Sequence, residues 1–349
     1  MSGSGKPLTI ILPVDEVIGD LKAVLRNGQA AVLVAPPGAG KTTRVPLALM
    51  DEDWVCGRAG NGEIAGKTAG KIIVLEPRRL AARAAADRMA QILGEPLGQT
   101  IGLRARLQSK TSPANRVEVV TEGVFTRMVM DDPSLEGVAC VIFDEFHERS
   151  LDADQGLALV LDVQAGLRED LRIVVMSATL DGARVAKLLG DAPVIESHGR
   201  AFPVETRYLG RNTAIRIENA ICEAVQRAIR ADPGSILVFL PGQGEISRTA
   251  SILGDVITDP TIDIAPLFGA MDRGTQDRAI SPCEAGRRKI VLATSIAETS
   301  LTIEGVRIVI DSGLARTPRF EPGLGLTRLE TVRVSQASAD QRRGRAGRT

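Results

Sequence analysis

The run Ala35-Pro36-Pro37-Gly38-Ala39-Gly40-Lys41-Thr42-Thr43 sets small side chains, one lysine and two hydroxyls between an apolar strand-like stretch, Ala30–Val34, and a helix-like one. Small residues let backbone N–H groups close around a polyphosphate, and the following helix turns the positive end of its dipole toward the anion. Lys41 is spaced to reach β- and γ-phosphates and the Thr42 hydroxyl to ligate Mg²⁺, with Gly38, Ala39, Gly40 and Thr43 completing the cradle. Ala35 stands where the usual pattern has its first glycine. A plain glycine-rich turn is the competing reading, and the strand-loop-helix context with its Gly-Lys-Thr spacing argues against it.

Such a loop needs a carboxylate at the end of a neighbouring strand to complete the metal shell. Val141-Ile142-Phe143-Asp144-Glu145-Phe146-His147 supplies one. Asp144, where the apolar run ends, suits Mg²⁺, and Glu145 beside it suits polarising a water for in-line attack on a γ-phosphate. Near the other end of the chain, Gln341, Arg345 and Arg348 are spaced i, i+4 and i+7, which predicts one helix face carrying two guanidiniums. Arginines so placed can stabilise γ-phosphate charge; a solvated basic helix is the alternative.

The elements that must carry these residues follow from periodicity. Short apolar runs at 71–75, 117–121, 138–143 and 172–176 alternate with helical patterns, the rhythm of a parallel sheet with crossover helices. Residues 51–70 interrupt it with glycines 57, 60, 62, 66 and 70 and read as a mobile surface insertion. After the breaker-rich segment 197–203 the rhythm restarts: a helix over 215–229, a strand over 235–240, a helix over 245–253, then strands over 262–266, 289–293 and 306–311. The junction is therefore placed there, giving two α/β domains, 1–199 and 200–349, of which only the first has a phosphate loop. Residues 316–330 hold two short arms around Glu321-Pro322-Gly323-Leu324-Gly325, a hairpin signal.

Composition narrows the classes. With 349 residues the chain exceeds what one core usually supports, and 44% hydrophobic with 25% charged residues is ordinary for a globular protein. No apolar run has the length of a membrane span and the N-terminus lacks a secretory core, so a cytoplasmic protein with no membrane partner is expected. Forty-three basic and 43 acidic residues cancel, so any nucleic-acid track must be local. Cys56, Cys140, Cys222 and Cys283 are scattered, and His147 and His198 are the only histidines, which argues against a disulfide framework and a zinc site.

Six motifs in order carry a resemblance. After the phosphate loop come Glu76-Pro77-Arg78-Arg79-Leu80-Ala81-Ala82, Thr121-Glu122-Gly123, the box at Asp144, Ser177-Ala178-Thr179, residues 293–305, and Gln341-Arg342-Arg343-Gly344-Arg345-Ala346-Gly347-Arg348. The chain resembles a superfamily 2 helicase of the DEAH-box type over nearly its whole length. It departs in three places: Phe146 replaces the box alanine, Ser295 an asparagine and Arg343 an alanine.

The resemblance implies two tandem RecA-like lobes built from mostly parallel sheets flanked by helices. The ATP-binding lobe would span 1–199 and the helicase C-terminal lobe 200–349, the latter truncated, with ATP and Mg²⁺ in the cleft between them. Ser177 and Thr179 would link hydrolysis to movement, His147 would contact the second domain, and Arg345 and Arg348 would be arginine fingers. Arg78, Arg79, Thr121, Gly123 and Thr294 match positions that hold nucleic-acid phosphates, and the 316–330 arms match a hairpin near the duplex fork. Arg88 matches one side of a pinch on the base, while Ile280 stands where the facing aromatic is usual. Backbone gripping implies single-stranded or partly duplex nucleic acid held with little sequence preference, and aromatics at 3% leave no stacking platform as the main grip. The expected activity is ATP-dependent movement along, or unwinding of, nucleic acid, with RNA preferred by resemblance alone. An ATP-switched clamp that separates no strands is the alternative; a phosphate-loop kinase or GTPase lacks an acceptor signature here.

Overall fold

Central strands of the first unit are uninterrupted apolar runs because both of their faces are covered. The computed structural model describes residues 11–57, 69–178, 182–198, 202–210, 212, 214–298 and 303–347, and it divides into two units, Met1–Arg200 and Ala201–Thr349. Thr179, Arg348, residues 58–68 of the glycine-rich segment and residues 299–302 lie outside the described residues.

The first unit holds β1 (Ala30–Val34), β2 (Lys71–Glu76), β3 (Ile101–Ala105), β4 (Gln108–Lys110), β5 (Val117–Thr121), β6 (Val138–Phe143), β7 (Arg172–Ser177) and β8 (Val194–Glu196). Their order across the sheet is β4-β3-β5-β2-β6-β7-β1-β8, parallel apart from the β3–β4 pair. Helices α1 (Ile18–Asn27), α2 (Lys41–Leu49), α3 (Asp53–Cys56), α4 (Arg79–Leu93), α5 (Glu122–Asp131), α6 (Leu151–Gly166) and α7 (Gly182–Leu188) connect them. Alternate strand residues enter different cores, as a period of two requires. Ala31, Leu33, Ile72, Val74 and Ile142 pack with Leu21, Leu25, Leu49 and Met89 of α1, α2 and α4. Val32, Ile73, Leu75, Val141 and Phe143 pack with Phe125, Val129, Leu157 and Val160 of α5 and α6.

β1 sits between β7 and β8, with Val34 opposite Ser177 on one side and Glu196 on the other. Part of the segment read as a mobile insertion is built into the fold. Val55 of α3 is fully buried, and Glu52 before it accepts from Arg26 Nε at 2.7 Å and lies 3.2 Å from Lys22 Nζ. Gly70, entering β2, is pressed so closely on β6 that a Cβ would stand 2.6 Å from that of Ala139. Glycine spacing hid these anchors.

The second unit has a parallel sheet of β9 (Ser235–Phe239), β10 (Ile262–Leu267), β11 (Arg288–Ala293) and β12 (Val306–Asp311) in the order β10-β11-β9-β12. α8 (Ile217–Ala231) and α9 (Gln243–Val256) cover it through Ile221, Val225, Ile246 and Leu253, packed on Ile236, Val238, Ile290 and Leu292. α10 (Arg273–Ile280) and α11 (Gln336–Arg343) complete the unit. β13 (Leu314–Glu321) and β14 (Leu326–Arg333) form a separate antiparallel hairpin, its register running from Leu314↔Arg333 to Glu321↔Leu326. No described helix is long and apolar enough to cross a membrane.

Candidate nucleotide site and nucleic-acid interface

Parallel strands end on one edge, and in the first unit that edge collects the chemistry. Read across β5-β2-β6-β7-β1, the strand ends present Thr121, then Pro77 and Arg78, then Asp144 and Glu145, then Ser177, then the loop 35–41. The loop adopts left-handed backbone at Gly38 (φ 85°) and Gly40 (φ 91°). Gly40 is needed twice over, because a Cβ there would also stand 2.5 Å from Leu12 Cδ1. The segment around Leu12 braces the loop: Val14 N–H donates to the Ala39 carbonyl at 3.1 Å, Ser197 Oγ donates to the Pro13 carbonyl at 2.9 Å, and Asp15 lies 3.7 Å from Arg44 of α2. Ala39 is buried, Gly38 is exposed and Thr43 is half-buried on the first turn of α2.

Lys41 is 4% exposed and donates from Nζ to the Ala35 carbonyl at 2.7 Å. The Thr42 hydroxyl donates to Asp144 Oδ2, which ties the first turn of α2 to the end of β6. Asp144 is buried, its N–H donating to the Leu75 carbonyl at 3.1 Å and its Oδ1 accepting the Glu145 N–H at 2.8 Å. Burial first, then the neighbouring Glu145 carboxylate, pushes Asp144 up to about 6, while Lys41 and Thr42 pull the other way. Glu76, fully buried at the end of β2, is pushed well above the usual carboxylate range by burial and then by Asp144 and Glu145.

This crowding of acids around one lysine fits Mg²⁺. Thr42 and Asp144 offer the hard oxygen donors that ion takes, in a buried place with negative charge to be compensated. Bound there, Mg²⁺ would supply neutralisation of phosphate charge.

Glu145 adopts φ 49° and is 6% exposed. His147 Nε2 lies 3.4 Å from Glu145 Oε2, and its Nδ1 accepts the Ala178 N–H at 3.1 Å. An accepting Nδ1 puts the proton of the neutral ring on Nε2, facing Glu145, and burial lowers the histidine's pKa to favour that neutral form. Ser177 is buried as the last residue of β7, its carbonyl accepting from Ala35 N–H at 3.0 Å. Phe146 has a physical reason to replace a small residue: it is buried edge-on against Phe143 at 6.1 Å, extending the Phe125–Phe143 contact.

Of the residues expected to hold nucleic acid, Arg78 is the N-cap of α4 and donates to Glu148 Oε2 from Nε at 3.2 Å and Nη2 at 2.9 Å. Arg79 and Arg88 are exposed on α4. Thr121 is the buried N-cap of α5 and Gly123 lies exposed on its first turn. Glu122 between them accepts from Ser150 Oγ at 2.5 Å, and burial raises its pKa. In the second unit Thr294 follows β11 and is the N-cap of a 3-10 turn, Ser295–Ala297.

The arginine motif corrects the sequence reading. α11 ends at Arg343 with Gly344 as its C-cap, so Gln341 is helical while Arg345 lies beyond the helix, and the two do not share one helix face. The chain tightens there: Arg345 N–H donates to the Arg342 carbonyl and Ala346 N–H to the Arg343 carbonyl, each at 3.1 Å. Arg345 is 4% exposed, its Nε donating to the Glu298 carbonyl at 2.9 Å. Arg342, which spacing did not single out, is the most enclosed of these arginines at 1% exposed. It donates to Glu298 Oε2 from Nε and Nη2 at 3.3 Å each and to Asp311 Oδ1 at 2.7 Å, with its guanidinium 4.8 Å from the Phe239 ring centre. Ser338 Oγ donates to the other Glu298 oxygen. Nothing local in the sequence marks Glu298, whose partner Arg342 lies 44 residues away.

Comparison with known proteins agrees with this geometry. Residues 15–188 match the DEAD/DEAH box helicase family and residues 218–349 match the helicase conserved C-terminal domain. The chain is 51% identical over 337 residues to the ATP-dependent RNA helicase HrpB of Escherichia coli, covering 97% of this chain and 40% of that protein. It is 35% identical over 344 residues to the probable ATP-dependent RNA helicase DHR2 of Saccharomyces cerevisiae, covering 97% of this chain and 45% of that one. Among solved structures, one of E. coli DEAH/RHA helicase HrpB superposes with a TM-score of 0.88 at 51% identity, over 97% of this chain and 41% of that chain. Another, described as E. coli DExH-box NTPase HrpB, gives 0.82 at 50% identity, over 98% and 41%. The chain thus spans less than half the length of these relatives. Its ordered motifs, two matched domains and parallel-sheet architecture make it a member of the DEAD/DEAH box helicase family.

Proposed function

We propose that this chain hydrolyses ATP with Mg²⁺ and uses the turnover to move along, or separate, strands of RNA. The observation that carries the reading is the hydrogen bond from Thr42 to Asp144, which brings the phosphate loop and the box carboxylates to one point on the strand-end edge. Lys41 would take the β- and γ-phosphates, Thr42 and Asp144 would hold Mg²⁺, and Glu145 would accept a proton from the attacking water. His147 would set the Glu145 carboxylate through its Nε2–H, and Ser177 and Thr179 would link hydrolysis to movement. Residues 1–199 would act as the ATP-binding domain, while 200–349 would contribute Gln341, Arg345 and Arg348 to hydrolysis. Arg88 would contact the base.

RNA as substrate is supported by the names of the two relatives. Arg78, Arg79, Thr121, Gly123 and Thr294 would hold its phosphates, which predicts binding nearly blind to sequence. The reading places the protein in the cytoplasm. The test is ATP turnover with and without single-stranded RNA and single-stranded DNA, followed by ATP-driven displacement of a strand from a tailed RNA duplex. Turnover stimulated by RNA with strand displacement is expected. Stimulated turnover without displacement would favour the clamp, and turnover indifferent to nucleic acid would remove the reading.

A further inference from the structure

Between β6 and α6 the chain makes a 3-10 turn, Phe146–Glu148, flanked by Glu145 at φ 49° and Arg149 at φ 51°. Left-handed backbone at a non-glycine residue is costly and persists only where the surroundings impose it. Here it occurs on both sides of three residues, so the turn is held, and the holding contacts are visible. His147 Nδ1 accepts from the Ala178 N–H, which pins the turn to the end of β7. Glu148 takes the Arg78 guanidinium through two hydrogen bonds to one oxygen, which pins the turn to the N-terminus of α4. The same Glu148 donates its N–H to the Glu145 carbonyl at 2.9 Å. Arg78 and Glu148 side chains are 27% and 15% exposed, so an anion from solvent can reach the pair.

We propose that Glu148 is a positioning residue that ties the nucleic-acid contact at Arg78 to the hydrolytic Glu145. A phosphodiester oxygen of the bound strand and the Glu148 carboxylate are rival acceptors for one guanidinium fork. When the phosphate wins, the turn loses one of its pins and Glu145 reseats toward its attacking position. Nucleic acid thereby raises turnover without touching the nucleotide. The inference rests on the reading of Arg78 and Glu145 given above.

The test compares the parent chain, Glu148→Gln and Glu148→Asp. Steady-state ATP turnover is measured with and without a uridine 20-mer, and binding of the same 20-mer is measured by fluorescence anisotropy across a KCl series. Glutamine keeps the shape but not the charge, so unstimulated kcat should rise and the stimulation ratio should fall by about tenfold, the scale of one charge-assisted hydrogen bond. The 20-mer should bind more tightly, since Arg78 no longer faces that carboxylate. Aspartate keeps the charge but withdraws it by one methylene, and should give an intermediate ratio. If Glu148→Gln does not fold, as judged by circular dichroism, the aspartate comparison decides. A parent-like stimulation ratio in the folded variants overturns the proposal, as does an equal drop in stimulated and unstimulated kcat, which is what a merely structural role would give. If the parent itself is not stimulated by the 20-mer, the functional reading fails first, and this inference falls with it.

Discussion

Glu298 meets Arg345 through its backbone and Arg342 through its side chain: its carbonyl accepts Arg345 Nε–H at 2.9 Å while its carboxylate closes on a guanidinium that is 1% exposed. One residue thus sets both arginines. Glu298→Ala should leave the buried Arg342 charge with Asp311 as its remaining carboxylate partner and destabilise the second unit by about 1–3 kcal/mol, read by urea unfolding. Stability close to the parent would mean that Asp311 alone suffices for Arg342.

Arg345→Ala should leave ATP binding nearly intact and lower kcat by about 10²-fold, less than the ~10³–10⁵ of a lone arginine finger because Arg348 would share the task. Equilibrium binding of a fluorescent nucleotide, set beside steady-state turnover, separates the two effects. A parent-like kcat would remove Arg345 from the reaction.

Lys41→Ala and Glu145→Gln should fail differently. The first removes the cation proposed to reach the phosphates, so nucleotide affinity and turnover should fall together. The second should keep Mg²⁺ and ATP binding but lower kcat by about 10²–10⁴-fold, as expected if Glu145 is the proposed general base. An equal loss of affinity in Glu145→Gln would make it a binding residue instead.

Gly40→Ala forces a side chain onto φ 91° and into Leu12. It should cost about 1–3 kcal/mol of backbone strain and weaken ATP binding. Leu12→Ala added to it removes the collision but not the strain, so calorimetric titration with ATP should show only partial recovery. Full recovery would mean that packing alone demands the glycine.

Glu122 gives a pH signature. Its folded pKa is raised by burial. The protonated form is therefore favoured in the folded state, and this contribution is complete below the unfolded value near ~4.3 and is lost as pH rises through the folded value. Glu122→Gln, which can still accept from Ser150, should flatten that slope and be relatively more stable at neutral pH than in acid. Thermal melts of parent and variant from acid to neutral pH check this, and parallel curves would refute it.

Much of this was legible in the chain. Runs such as Ala30–Val34 and Val138–Phe143 were recognisable as strands because burial on both faces leaves no polar position, and Lys41, Thr42, Asp144 and Glu145 follow from types and spacing at strand ends. β3, β4 and β8 escaped because a glycine, polar edge residues and three-residue length erase the pattern. Spacing misled at Arg345: counting by helical turns assumes that the helix continues, and Gly344 ends it. Glu148 and Glu298 could not be singled out, since their meaning lies in partners 70 and 44 residues away. Long-range pairing leaves no local trace.

The position of β1 sets an order of events during synthesis. The phosphate-loop strand emerges early, yet both of its neighbours, β7 and β8, come from residues 172–177 and 194–196. At ribosomal rates of about 5–20 residues per second, β1 waits on the order of ten seconds for a partner. Until then the loop sequence exists without the strand that aims it, and a nascent chain halted before β7 should not retain nucleotide. Nucleotide capture would therefore report that the first unit has closed, and ATP itself becomes a ligand that stabilises only the finished fold.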